Sequence, residues 1–256
     1  MGCKDLTTLS QWLRKEPFTL TLSSGFFGFF AHIGLLSAFE QQAIFPNKIT
    51  GSSAGALAGG LWASGVSAKA LEHYCLTLRK NAFWDPFPGL GLLRGRKFRQ
   101  QFKAVACCEN IESCRIPLAI SCFDFFRQRT QVFESGNLAD CVYASCAVPL
   151  LFQPALIGKG LYFDGGIQDV PGIAGVQTHE RVFYHHLISS KNRLEDDLSI
   201  INAEIPQRDN TSILIIHQLP AVSPNHLELG KIALEQTKDA TLRVLEQPYS
   251  ERIHVR

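Results

Sequence analysis

The chain holds 256 residues, 46% hydrophobic and 19% charged, enough for one large domain or two small ones with a sizeable core. A formal net charge of +2 is too small to argue for a nucleic-acid partner. The eight cysteines contain no CxxC pair and several sit in apolar runs, which reads as buried reduced thiols rather than a disulfide or metal framework.

At the start of the chain, Lys4, Asp5, Arg14, Lys15 and Glu16 leave no apolar core for a secretory leader. No run reaches the length that spans a bilayer. Together with the reduced thiols this gives a cytoplasmic expectation, with peripheral membrane contact as an option. Met1-Gly2-Cys3 hints at N-terminal acylation, but Leu6 stands where the myristoylation pattern takes Ser or Thr.

Phe18 to Leu22 reads as a strand that runs into Ser23-Ser24-Gly25 and then Phe26-Phe27-Gly28-Phe29-Phe30. A helix is expected from there to about Gln42, with Ile33, Leu36 and Phe39 on one side. After the Pro46-Asn47 turn, a short strand covers Lys48 to Thr50 and a helix covers Ala54 to Ala63. Ala68 to Arg79 is expected to be helical, Asp85 to Gly95 an irregular loop, and Arg94 to Ala106 a basic helix.

Ile116 to Asp124 and Thr130 to Phe133 make a hairpin, and Leu138 to Ser145 a short helix that ends ahead of Pro149. Val182 to Leu187 and Ile213 to His217 read as apolar strands. The run 191–212 is polar and reads as a long loop, and Asn225 to about Glu246 as an amphipathic helix. Strands alternating with helices give an α/β class, a three-layer sandwich around a mostly parallel sheet. No boundary divides the chain, so residues 1–256 are expected to form one domain, with a core over about 18–220 and the closing helix over about 225–246.

Gly51-Ser52-Ser53-Ala54-Gly55 matches the small-x-Ser-x-small pattern of a nucleophile elbow. An elbow sets its serine on a sharp strand-to-helix turn, and glycines two residues away avoid a collision of Cβ with the neighbouring backbone. A serine hydroxyl needs a base. Asp164 in Tyr162-Phe163-Asp164-Gly165-Gly166 is the candidate, delivered by a short apolar strand; Gly165 and Gly166 let the chain turn and a substrate approach. The third requirement is backbone N–H groups for a tetrahedral oxyanion. Gly25, Phe26, Phe27 and Gly28 offer them at a helix N-terminus.

These segments, in this order, resemble the patatin-like phospholipase family. Its marks are a Gly-rich loop after the first strand, a G-x-S-x-G serine and a later D-G-[GA] aspartate. The similarity extends to Ala31-His32-Ile33-Gly34 and to Ala144-Ser145-Cys146-Ala147-Val148-Pro149, and spans about Leu20 to Asp169. The resemblance implies hydrolysis of acyl esters, mostly of lipids, by a Ser53–Asp164 dyad without histidine or cofactor. The loop departs from the family pattern. Ser24 replaces its first glycine, Phe26 and Phe27 follow, and no Arg or Lys is present. The oxyanion would then rest on backbone amides alone. The four phenylalanines fit either an acyl channel or a helix-facing core, with the core favoured for Phe29 and Phe30.

Two rivals stand beside this reading. One is a lipid-binding or regulatory protein that kept the scaffold after its loop diverged. The other is a Ser-Asp-His triad using His185, His186, His217 or His226, against which stands the early position of Ser53. Finally, Arg94, Arg96, Lys97, Arg99 and Lys103 lie beside Trp84, Phe87, Leu90, Leu92 and Leu93. That cluster fits an anionic headgroup, a membrane surface or a solvated helix face.

Overall fold

A computed structural model describes residues 7–188 and 205–256. A nine-stranded sheet runs through it in the order β11-β10-β9-β1-β2-β4-β8-β7, with β5 paired to β4. The strands are β1 (Thr19–Leu22), β2 (Lys48–Ser52), β4 (Leu118–Asp124), β5 (Arg129–Phe133), β7 (Ala155–Ile157), β8 (Gly160–Phe163), β9 (Val182–His186), β10 (Thr211–Ile216) and β11 (Arg252–Val255). From β11 to β4 every pairing is parallel, and β5, β8 and β7 add antiparallel pairs at one side. The mostly parallel α/β architecture is therefore the one expected from the alternation of elements.

The parallel strands are buried on both faces, which is why they read as short apolar or β-branched runs without alternation. One face carries Leu20, Leu22, Ile49, Ile120 and Phe183, packed against the helices. These are α2 (Phe29–Gln41), α3 (Ala54–Ala63), α7 (Leu138–Ser145) and the long α8 (Leu229–Leu245), with α1 (Leu9–Lys15) contributing Leu9 and Leu13. The other face carries Thr21 and Thr50, whose hydroxyls meet at 2.9 Å. Among the described residues that face is covered by loop rather than helix. Gly175 lies against Ala119 and Thr50, and Val176 packs on Val182, Tyr184, Ile213 and Ile215.

Strand β1 sits between β2 and β9, and the chain winds outward from it first to one side, then to the other. A reversal of this kind opens a crevice at the carboxyl ends of the strands, where α/β proteins bind ligands. Residues 23–28, 53 and 187 all follow strands that end at that edge.

Several boundaries differ from the sequence reading. Strand β2 runs on to Ser52 because Gly51 and Ser52 pair with Ile120 and Ser121 of β4. The helix expected over 68–79 is α4 (Ala68–Thr77); Leu78 is extended, and the one-turn α5 (Lys80–Phe83) follows. The loop over 85–95 contains β3 (Gly91–Leu93), which pairs with β6 (Leu150–Phe152) in a separate parallel ribbon ahead of α6 (Arg96–Val105). Most of the run 191–212 lies outside the described residues, but Thr211 and Ser212 already belong to β10. Strand β11 was not expected at all, since in Arg252-Ile253-His254-Val255 only Ile253 is buried. Among the described residues no helix is long and apolar enough to cross a membrane, and no group of three or more His, Cys, Asp or Glu could hold a metal ion.

Candidate active site

Ser53 stands between the last residue of β2 and the first of α3 with φ 49° and ψ −112°. A non-glycine residue adopts this backbone only where its surroundings impose it. The imposing contacts are visible. A Cβ at Gly55 would lie 2.0 Å from the Leu22 carbonyl oxygen, and one at Gly51 would lie 2.6 Å from the Gly55 carbonyl carbon. The first turn of α3 is thus pressed onto the ends of β1 and β2, and the chain must turn within one residue. This is the crowding expected of the elbow pattern.

The Ser53 hydroxyl donates a 2.7 Å hydrogen bond to Asp164 Oδ2. Asp164 Oδ1 accepts the Gly166 amide at 2.8 Å, and the Asp164 amide donates to the Ala147 carbonyl. Burial pushes the Asp164 carboxyl up to about 6, with the bonds from Ser53 and Gly166 pulling the other way. The two residues, 111 apart in sequence, therefore form one buried hydrogen-bonded pair. Gly165 is fixed by backbone crowding, whereas Gly166 is crowded by side chains. A Cβ at Gly165 would meet the Ser121 carbonyl at 2.2 Å, and one at Gly166 would meet Ser24 Oγ at 2.4 Å.

Gly25, Phe26 and Phe27 of the loop ahead of α2 line the same cavity as Ser53. The loop's amides are not equivalent. Gly28 N–H is spent on the Gly25 carbonyl at 2.8 Å, which removes Gly28 from the expected donors. The Gly25, Phe26 and Phe27 amides meet no acceptor among the described residues. Phe27 is left-handed (φ 55°), so the loop turns tightly ahead of α2. Ser53's own amide is also occupied, donating to Ser145 Oγ at 2.8 Å.

A cavity open to solvent on one side lies behind Ser53. Its walls are almost wholly apolar, with Phe27, Phe29, Leu57, Phe83, Phe98 and Phe102 among them. Phe29 and Phe30 both lie in the core as expected; Phe29 also lines this cavity, and Phe30 packs against Gly230 of α8. The basic helix α6 supplies Phe98, Gln101 and Phe102 to the wall from its inner side, which charge patterning alone concealed.

Three supporting groups escaped the sequence reading. Ser145, at the end of α7, accepts from Ser53 N–H and donates to the Ser121 carbonyl at 2.7 Å, so one hydroxyl ties the elbow to β4. Cys146 donates its thiol to the Ser53 carbonyl at 3.2 Å, and burial raises its pKa well above the usual thiol value. Asp169 is buried and accepts from Ser121 Oγ and from the amides of Ile173 and Ala174, which holds the loop after Asp164. A serine and a cysteine just ahead of Ala147-Val148-Pro149 were the only sequence signal for the first two.

The histidines take other places. His32 and His185 meet Nδ1 to Nδ1 at 2.9 Å, and His32 Nε2 reaches the Ser23 carbonyl. Burial pushes His32 down to about 4 and His185 well below its usual value. Both are neutral at neutral pH, and His32 supports Ser23 at the head of the loop that leads into α2. His186 bonds Tyr184, His217 faces His254, and the exposed His226 faces Glu228. Because Ser53 bonds Asp164 directly, no imidazole stands between them in the manner of a triad.

A mostly parallel α/β sheet with a strained serine and a buried aspartate at its carboxyl edge is one of the frameworks used by serine hydrolases. The chain belongs to the patatin-like phospholipase family, whose profile matches residues 20–175. An uncharacterized NTE family protein of Mycobacterium tuberculosis is 30% identical over 166 residues, 62% of this chain and 46% of its own length. The neuropathy target esterase sws of Drosophila persimilis is 28% identical over 182 residues, 66% of this chain and 12% of that protein. The chain thus spans about half the length of the mycobacterial relative and a small part of the esterase. The crystal structure of VipD from Legionella pneumophila matches with a TM-score of 0.64 at 15% identity, covering 91% of this chain and 67% of that one, a likeness of fold.

Two substitutions test this construction. Gly55→Ala gains up to about 1 kcal/mol of helix propensity but must push α3 off β1, so a net loss of about 2 kcal/mol or more is expected in urea unfolding. An unchanged midpoint would show that α3 is free to shift. Ser145→Ala strands the Ser53 amide and the Ser121 carbonyl, and is expected to cost about 1–3 kcal/mol in the same measurement.

Proposed function

We propose that this protein is a serine acyl hydrolase that cleaves lipid acyl esters with Ser53 as nucleophile and Asp164 as base. The observation that carries the reading is the 2.7 Å hydrogen bond from Ser53 Oγ to Asp164 Oδ2 at the head of an apolar cavity. Family membership supports it.

Ser53 Oγ attacks the ester carbonyl carbon while its proton passes to Asp164 Oδ2. The negative charge that forms on the carbonyl oxygen is held by amides from Gly25 to Phe27, at the positive end of α2. The tetrahedral species collapses, the carbon–oxygen bond to the alcohol breaks, and the alcohol leaves with the proton from Asp164. Water then attacks the acyl-serine, gives a proton to Asp164 and releases the fatty acid as that proton returns to Ser53.

Burial tunes the base for this cycle. A carboxyl at its ordinary value would be a weak proton acceptor, whereas one raised to about 6 is stronger yet still ionised at neutral pH. The acyl chain would lie along Leu57, Phe83, Phe98 and Phe102, where each methylene leaving water contributes about 0.8 kcal/mol. Among the described residues no charged side chain lines the cavity, which favours a neutral acyl tail inside and leaves any headgroup at the mouth. No metal or organic cofactor enters any step.

A fluorophosphonate probe is expected to label wild-type protein at Ser53 and to leave Ser53→Ala unlabelled, with ester cleavage lost in that variant. Labelling elsewhere, or none in the wild type, would replace the enzyme with a lipid-binding protein on the same scaffold. Asp164→Asn should reduce kcat by about 10²–10⁴-fold; full turnover in that variant would return the role of base to a histidine.

The pH dependence has a defined sign. Asp164 acts as a base only when ionised, and its raised pKa keeps it protonated below about 6. Hence kcat/KM should climb as pH rises through about 6 and then level off. A profile already flat down to the ordinary carboxylate range would contradict the buried, desolvated base.

A further inference from the structure

Beside the cavity mouth lies a surface the catalytic cycle does not use. The ribbon of β3 and β6 leaves Leu150 83% exposed and Leu90 67% exposed, with Leu92 and Phe87 also outward. Leu150 has φ 68°, a left-handed backbone unusual for leucine, and its side chain stands in solvent. Exposed apolar side chains also occur elsewhere, Leu156 and Phe126 among them, but here they are grouped beside the cavity and next to exposed cations, a combination that marks a contact surface.

Charge says what the contact is. From Pro86 to Cys108 the chain carries Arg94, Arg96, Lys97, Arg99 and Lys103 and no acidic residue. Arg99 lies over the Tyr143 ring near Asp140, and Lys97 Nζ bonds the Asn81 carbonyl. Arg94 stacks on Phe87 within the patch, and neither Arg94 nor Arg96 pairs with a carboxylate among the described residues.

The surface is continuous with the cavity. Phe152 pairs with Leu93 in the ribbon and lines the cavity, as does Phe98 in the first turn of α6. Phe26, half exposed, stands at the mouth on the oxyanion loop.

We propose that the β3–β6 ribbon and the basic start of α6 form a docking surface for an anionic phospholipid bilayer, with Leu90 and Leu150 entering the acyl layer and Arg94 and Arg96 meeting the headgroups. This deepens the hydrolase reading and rests on it for the substrate. An acyl chain passes from the membrane to the mouth without crossing water. Apolar insertion and cation attraction act together, so the binding weakens with salt.

The test is flotation of the full chain with vesicles of phosphatidylcholine containing phosphatidylglycerol, against phosphatidylcholine alone. Wild type should float with the anionic vesicles, weakly with the neutral ones, and be released by high salt. Leu90→Glu with Leu150→Glu, and separately Arg94→Glu with Arg96→Glu, should each lower the bound fraction by about tenfold or more. Phe45→Glu, an exposed aromatic on the loop entering β2 at the opposite edge of the sheet, should leave it unchanged. Hydrolysis of the soluble ester p-nitrophenyl butyrate should survive in the leucine pair, which shows that it folds, and Ser53→Ala should float as wild type does.

Equal flotation of wild type and both charge-reversed pairs overturns the proposal, as does equal binding to neutral vesicles. So does a concentration-dependent dimer that the leucine pair abolishes, which assigns the patch to a second copy of the chain. A wild type that floats but cleaves no ester fails the hydrolase reading while upholding the surface.

Discussion

Backbone crowding where α3 meets the ends of β1 and β2 is the constraint on which the candidate site depends. Gly55 rests on the Leu22 carbonyl and Gly51 rests on Gly55, so the chain passes from strand to helix within a single residue. That residue is Ser53, and its unfavourable backbone is maintained by the packing on both sides. A looser turn would let the serine relax into ordinary helix geometry and swing its hydroxyl away from Asp164. The strain is modest beside the apolar burial of the surrounding core, which is why the fold can hold it.

Around this turn the polar groups are connected rather than scattered. Ser145 joins the elbow amide to β4, Ser121 reaches Asp169, and Asp169 holds the loop that leads away from Asp164. On the other side Ser23 is fastened through His32, His185 and the Leu187 amide. The proposed nucleophile, base and oxyanion loop each sit on a different strand end, and these bonds set their separations. In a buried setting every such group must find a partner, so the network also limits how the site can rearrange. Asp164 has both oxygens bonded, Oδ2 by Ser53 and Oδ1 by Gly166, and its proton affinity rises because burial strips water from the carboxylate.

The first half of the site was legible in the sequence for local reasons. An elbow leaves a short signature because its glycines, serine and following helix are consecutive, and Asp164-Gly165-Gly166 likewise follows a short strand. Long-range features left weaker traces. Strand β11 carries too few buried side chains to show a pattern, and β3 and β6 lie within Pro- and Gly-rich sequence where loop signals dominate. The face of α6 that lines the cavity is masked in sequence by its five neighbouring cations. Phe29 and Phe30 could not be told apart either. They are adjacent on one helix and both are buried in the core, and only the position of the cavity makes Phe29 part of its wall as well.

By itself the amino-acid sequence determined the α/β class, the main strands and helices of the parallel core, the elbow at Ser53 and the turn at Asp164, because each depends on residues close along the chain. Tertiary structure alone decided which partners meet: that Ser53 bonds Asp164 directly, that Gly28 has no free amide to offer, that His32 faces His185, and that leucines and arginines share one surface beside the mouth. These facts depend on which strand lies beside which, and strand order is set by how the whole apolar core closes. Distances of a few ångströms across the sheet follow from that packing, and no local pattern of residues encodes them.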